Sequence, residues 1–174
     1  MVRIAVSLLA FAFAGAAFAQ SDLAKKIIND PGSPTVDGAK ARLVDDATAA
    51  GGKALRVTVA KKGQNNWDSV VESTIGKPVK AGDRLVLTVE AKSVKGPDAT
   101  TAASIPYVAV QQIAAPYKAL FSGQVPLTSD WKLHQFEGRA DKAYPAGTLK
   151  ATIQIGNARQ TIDLGPAVVV NMGQ

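Results

Sequence analysis

Few residues in this chain could make or break a covalent bond. His134 is the one imidazole, and there is no cysteine. That excludes a disulfide framework, a thiolate metal site and a cysteine nucleophile together. A serine nucleophile needs an imidazole to take its proton. His134 falls in a stretch that reads as a strand, and no G-x-S-x-G elbow accompanies it. A zinc site built from His and Cys cannot be assembled from one His. Two carboxylates could in principle form a glycosidase pair. Asp45 and Asp46, however, are adjacent, and neighbours on an extended chain point to opposite faces. Glu72 and Glu90 lie on different expected strands, with nothing in the sequence to set their separation. Such an inventory argues against a protein that turns a substrate over. No phosphate-cradling or dinucleotide-binding glycine motif is present.

The elements that would position a binding surface are short strands. Period-two alternation recurs between Gly, Pro, Asp and Asn. In residues 54–60, Leu55, Val57 and Val59 share a face against Arg56 and Thr58. In residues 84–92, Leu85, Leu87, Val89 and Ala91 oppose Val86, Thr88, Glu90 and Lys92. In residues 148–156, Leu149, Ala151, Ile153 and Ile155 oppose Lys150, Thr152 and Gln154. Further strands are expected over residues 69–75, 107–113, 131–139 and 167–172, with 39–44 also extended. One buried and one wetter face per strand is the mark of antiparallel sheets. Turns are expected at Lys80-Ala81-Gly82-Asp83, Gly51-Gly52 and Gly96-Pro97. Pro126 and Pro145 cannot donate to a ladder and belong at edges or loops. The one helix expected is short, residues 22–29, stopped by Asp30-Pro31-Gly32. Strands at this spacing suggest a β-sandwich, and no strand–helix–strand rhythm argues for a doubly wound fold.

Residues 1–19 read as a bacterial secretory signal peptide. Arg3 supplies the positive start, residues 4–13 the apolar stretch, and Ala17-Phe18-Ala19 a small-x-small cleavage site. The remainder, residues 20–174, reads as a single domain in the periplasm or outside the cell. Its length suffices for a core without disulfide staples. The 174 residues carry 20 Lys and Arg against 14 Asp and Glu, a formal charge of +6. No basic cluster interleaved with aromatics is found, so nucleic acid is not an expected partner. No later apolar run is long enough to embed in a membrane.

Six stretches, in order, carry a family resemblance. They are Gly51-Gly52-Lys53-Ala54-Leu55-Arg56-Val57, Asn66-Trp67-Asp68 and Val79-Lys80-Ala81-Gly82-Asp83-Arg84-Leu85, then Gln111-Gln112-Ile113-Ala114-Ala115-Pro116-Tyr117, Leu127-Thr128-Ser129-Asp130-Trp131-Lys132 and Gln160-Thr161-Ile162-Asp163-Leu164-Gly165. The series resembles the carbohydrate-binding modules of the family 4, 9 and 22 type, often appended to xylanases and glucanases. The resemblance spans about residues 38–172. It implies a jelly-roll β-sandwich of two antiparallel sheets, with the short helix before it, binding a polysaccharide or oligosaccharide without cleaving it. An exported structural or protein-interaction sandwich without a sugar groove is the alternative.

A sugar ring offers apolar C–H faces and a rim of hydroxyls, so aromatic platforms and amide, carboxylate or guanidinium groups hold it. The candidates are Trp67 in a polar loop, Tyr117 after Pro116, one of Gln111 and Gln112, and Gln154 on a wet strand face. Glu90 and Arg56 occupy analogous faces and could grip hydroxyls in pairs. Trp131 opens a strand and is expected in the core. The resemblance further implies an acidic residue near a structural calcium at Asp163, with no cofactor otherwise required.

Overall fold

A computed structural model describes residues 23–174. The signal peptide expected at residues 1–19 lies outside the described residues, as does Asp22 of the expected helix. What remains of that helix is a single turn, residues 23–26. The chain then extends, because Ile27 bridges to Val170 and Asn29 to Ile75. Asn29 fastens this segment to both layers. Its amide nitrogen donates to Ser73 Oγ (3.0 Å) and to the Ala167 carbonyl (2.9 Å), while its oxygen accepts from the Val169 N–H.

Two antiparallel sheets form the expected sandwich. The first runs β1 (Thr35–Asp37), β4 (Val70–Thr74), β9 (Leu149–Gln154), β6 (Ser104–Gln112) and β7 (Ala119–Pro126). The second runs β2 (Lys40–Asp45), β3 (Lys53–Val59), β10 (Gln160–Leu164) and β5 (Arg84–Lys95). The first half of β5 also pairs with β11 (Val168–Asn171) on one edge and with β8 (Lys132–Arg139) on the other. No helix among the described residues is long and apolar enough to cross a membrane.

The alternation read from the sequence becomes the core. Leu85, Leu87, Val89 and Ala91 of β5 are buried, as are Val57 and Val59 of β3 and Leu149, Ala151 and Ile153 of β9. Each Val, Leu or Ile among them contributes about 1.5–3 kcal/mol through removal from water, and each Ala about 0.8 kcal/mol. The turn into β5 needs Gly82 at φ +83°, a conformation open to glycine. Asp83 then closes the turn, its carboxylate accepting from the Lys80 N–H and from the Asn171 amide.

Three strands lie where the sequence predicts none: β1, β7 and β10. β1 is three residues long, too brief for a pattern. β7 contains Gly123 and ends on Pro126 at the sheet edge, so its apolar residues do not alternate cleanly. β10 carries Asp163 and Gln160, both buried, and polar residues at buried positions hide a strand. The sheets meet through aromatic packing at the β7–β8 edge. A Cβ on Gly138 would stand 2.6 Å from the Phe121 ring, and one on Gly123 2.2 Å from Phe136.

Candidate functional site

Strand pairing places side chains in rows, since residues directly opposite share a face. On the outer face of the first sheet, three rows follow from the register. Val70, Gln154 and Tyr107 form one; Glu72, Thr152, Ala109 and Ser122 the next; Thr74, Lys150, Gln111 and Ala119 the third. Thr152 and Ala109 in the middle row are fully buried and Gln111 nearly so. Tyr107, Gln154, Glu72 and Lys150 are half-buried around them. Small residues thus make the floor, and larger polar ones stand beside it.

The polar groups there are held in place. Lys150 Nζ lies 2.7 Å from Glu72 Oε1, which also accepts from the Thr152 hydroxyl at 3.1 Å. Burial raises the Tyr107 phenol above its ordinary pKa, although a hydrogen bond with Ser122 opposes the shift. A neutral phenol, two amides and a compensated ion pair can exchange hydrogen bonds with hydroxyls without leaving a buried charge unpaired.

Two of the sequence's candidates meet on this face, Gln111 and Gln154. Trp67 and Tyr117 flank it from opposite ends. Trp67 sits in the 3-10 turn Asn66–Asp68 leading into β4, beside the end of β9, and is 63% exposed. That turn is secured by Asp68, whose carboxylate accepts from the Gln64 and Asn65 N–H groups. Tyr117 sits in the β6–β7 turn, is 57% exposed, and has φ +56°, a left-handed conformation unusual for a residue with a side chain. Its N–H donates to the Ala114 carbonyl.

The other candidates lie elsewhere. Gln112 stands opposite Leu149 on the other side of the strand, half-buried, and hydrogen-bonds the Tyr144 hydroxyl, so it does not join this face. Glu90 and Arg56 lie on the second sheet, on the far side of the sandwich. Arg56 is engaged in a bidentate pair, Nε and Nη2 each 2.8 Å from an Asp163 carboxylate oxygen. Asp163 is fully buried, and Lys92 Nζ stands 4.0 Å from it. Its oxygens are therefore committed to internal cations, and a calcium ion would have to displace Arg56 to reach them. Among the described residues, no group of three or more His, Cys, Asp or Glu could hold a metal. The residues do not fit the calcium site that the resemblance implies.

Trp131 departs from the core position expected of it. It is half-buried, with Lys92 Nζ 4.9 Å from its ring centre and its indole N–H donating to Asp46 Oδ2 at 3.3 Å. Asp46 in turn pairs with Lys92 and is drawn below the usual carboxylate range, first by that lysine and then by Thr48. Trp131 thus caps an ionic cluster instead of filling the interior.

The residues that sequence reasoning missed are Tyr107, Glu72, Lys150 and Thr152. Lys150 and Thr152 were visible as the wet face of residues 148–156. What was missing was the register that sets them beside Tyr107 and Glu72.

No protein-family model and no curated protein matches this sequence. Solved structures do match in fold. A family 4 carbohydrate-binding module is 21% identical with a TM-score of 0.62, covering 82% of this chain and 89% of its own. The N-terminal cellulose-binding domain of Cellulomonas fimi β-1,4-glucanase C is 18% identical, with a TM-score of 0.59 and coverage of 84% and 93%. The CBM22-1 xylan-binding domain of Paenibacillus barcinonensis Xyn10C is 12% identical, with a TM-score of 0.56 and coverage of 82% and 87%. At these identities the likeness is one of fold.

Proposed function

We propose that this chain is an exported, non-catalytic module that binds a β-linked glucan or xylan on the outer face of its first sheet. The carrying observation is the arrangement of Tyr107, Gln154, Gln111 and the Glu72–Lys150 pair around a floor of small residues, with Trp67 and Tyr117 exposed at either end. Amides and the ion pair would meet the hydroxyl rim, and the rings would cover C–H faces. Two of the three similar structures bind cellulose or xylan by their own descriptions, which supports the ligand class. Export rests on the apolar, small-x-small pattern of residues 1–19.

His134 supports binding over turnover. It points inward opposite Val89, and its Nε2 is buried with no hydrogen-bond partner. A general base must reach the proton it abstracts, and this nitrogen faces packing.

Affinity electrophoresis in gels containing xylan, soluble β-glucan or mannan tests the reading. The folded protein should be retarded by xylan or glucan, and Trp67→Ala or Tyr107→Ala should weaken binding about tenfold, the equivalent of 1.4 kcal/mol. No retardation by any of the three, with the fold intact by circular dichroism, overturns it.

A further inference from the structure

The outer face of the second sheet presents a charge pattern that the proposed glycan site does not use. Pairing sets Lys40, Thr58 and Thr161 in one row, which Lys95 ends across an irregularity in the β5–β10 register, and Arg42, Arg56, Asp163 and Lys92 in the next. These two rows hold five cations. The carboxylates that reach them are Asp163, taken up by Arg56, and Asp46, taken up by Lys92. Lys40, Arg42 and Lys95 are exposed and make no ion pair among the described residues. Arg42 stands directly opposite Arg56, whose charge Asp163 already offsets, so the exposed Arg42 is left without a counter-charge of its own.

We infer that this face is a second, separate binding surface, for an acidic polysaccharide carrying uronate carboxylates. Three observations select this ligand among polyanions. Strands are about 4.8 Å apart, so Lys40 and Lys95, three strands apart in the first row, stand on the order of 14 Å from each other, a span suited to an extended polyanion rather than to one small anion. Between the two lysines of the first row lie two hydroxyls, Thr58 and Thr161, in contact with each other at 3.4 Å. They suit the hydroxyls of a saccharide. No aromatic side chain occupies either row, and the neighbouring Trp131 has its ring engaged by Lys92 and its N–H by Asp46, whereas single-stranded nucleic acid is held largely by stacking on free rings.

The test uses the folded chain with polygalacturonate, duplex DNA and phosphatidylglycerol vesicles as probes, at 20 mM and 200 mM NaCl. Polygalacturonate should retard the protein at low salt and release it at high salt, as expected for charge contacts across water. Lys40→Glu/Arg42→Glu should weaken that binding at least tenfold and leave retardation by xylan or glucan unchanged. Trp67→Ala should do the reverse, which separates failure of this inference from failure of the first. Lys26→Glu/Lys142→Glu makes the same charge change elsewhere and should cost less than twofold. The inference is overturned if polygalacturonate does not bind at low salt. Equal loss in the control variant, or DNA or vesicles binding as tightly as polygalacturonate, also overturns it.

Discussion

Tyr117 shows how one residue can serve a surface at the expense of its own backbone. A side chain in the left-handed region costs of order 1–3 kcal/mol, and Tyr117 adopts it with most of its ring in water. Packing in the fold recovers little of that cost. Tyr117→Gly should therefore raise unfolding stability by about 1 kcal/mol in urea titrations while weakening glycan retention in the gel assay. A loss of stability would mean that the ring is a packing element of the turn. Arg56 gives the opposite lesson. Its residue type suits hydroxyl binding, yet its guanidinium is spent on Asp163. Residue type names what a side chain can do, and its neighbours decide what remains available.

At the scale of elements, the two layers meet at the β7–β8 edge through four residues packed against the main core. Phe121 and Phe136 fit only because Gly123 and Gly138 lack a Cβ. Neither glycine has a positive φ, so the requirement is one of space and not of backbone conformation. Gly138→Ala should destabilise the fold by roughly 1–3 kcal/mol, the usual cost of overpacking, measured as a lower urea midpoint with unchanged slope. An unchanged midpoint would show that the Phe121 ring shifts freely. The alternation of β3, β5 and β9 was legible because apolar and more polar residue types take turns along each, even where the fold buries both, as at Thr152. β7 and β10 were not, since an edge strand with Gly and Pro and a strand with a buried Asp both break the pattern. Asp163 is tolerated inside by its bidentate arginine, a partner 107 residues away in sequence and so invisible to local reading.

For the molecule as a whole, acid stability should fall in two separate windows. Burial, followed by repulsion from Lys132, lowers the His134 pKa below its ordinary 6.5. The folded state thus binds this proton more weakly than the unfolded chain. Its contribution is intact above pH 6.5 and declines as pH falls through that value towards the folded pKa. Asp141, held to about 2 by Lys118 and the Tyr144 hydroxyl, contributes above its ordinary 3.8 and is lost as pH falls from there towards 2. Melting temperature should therefore decline modestly from pH 7 to 5.5, then again below pH 4. His134→Gln should flatten the first decline and spare the second. If it leaves the first slope unaltered, the imidazole is wetter than its position implies.

By itself the sequence determined the all-β class, most of the strands and the poverty of catalytic groups, because alternation and composition are local properties that every residue reports. It also singled out Trp67, Tyr117, Gln111, Gln112, Gln154, Glu90 and Arg56 as candidates without saying which of them share a face. Only the tertiary structure decided that Glu90 and Arg56 lie on the far sheet, that Gln112 does not join the polar face, and that Tyr107 and the Glu72–Lys150 pair complete it. The reason is register. Which residue stands opposite which depends on pairing between strands distant in the chain, and a shift of one position would send every side chain to the other side.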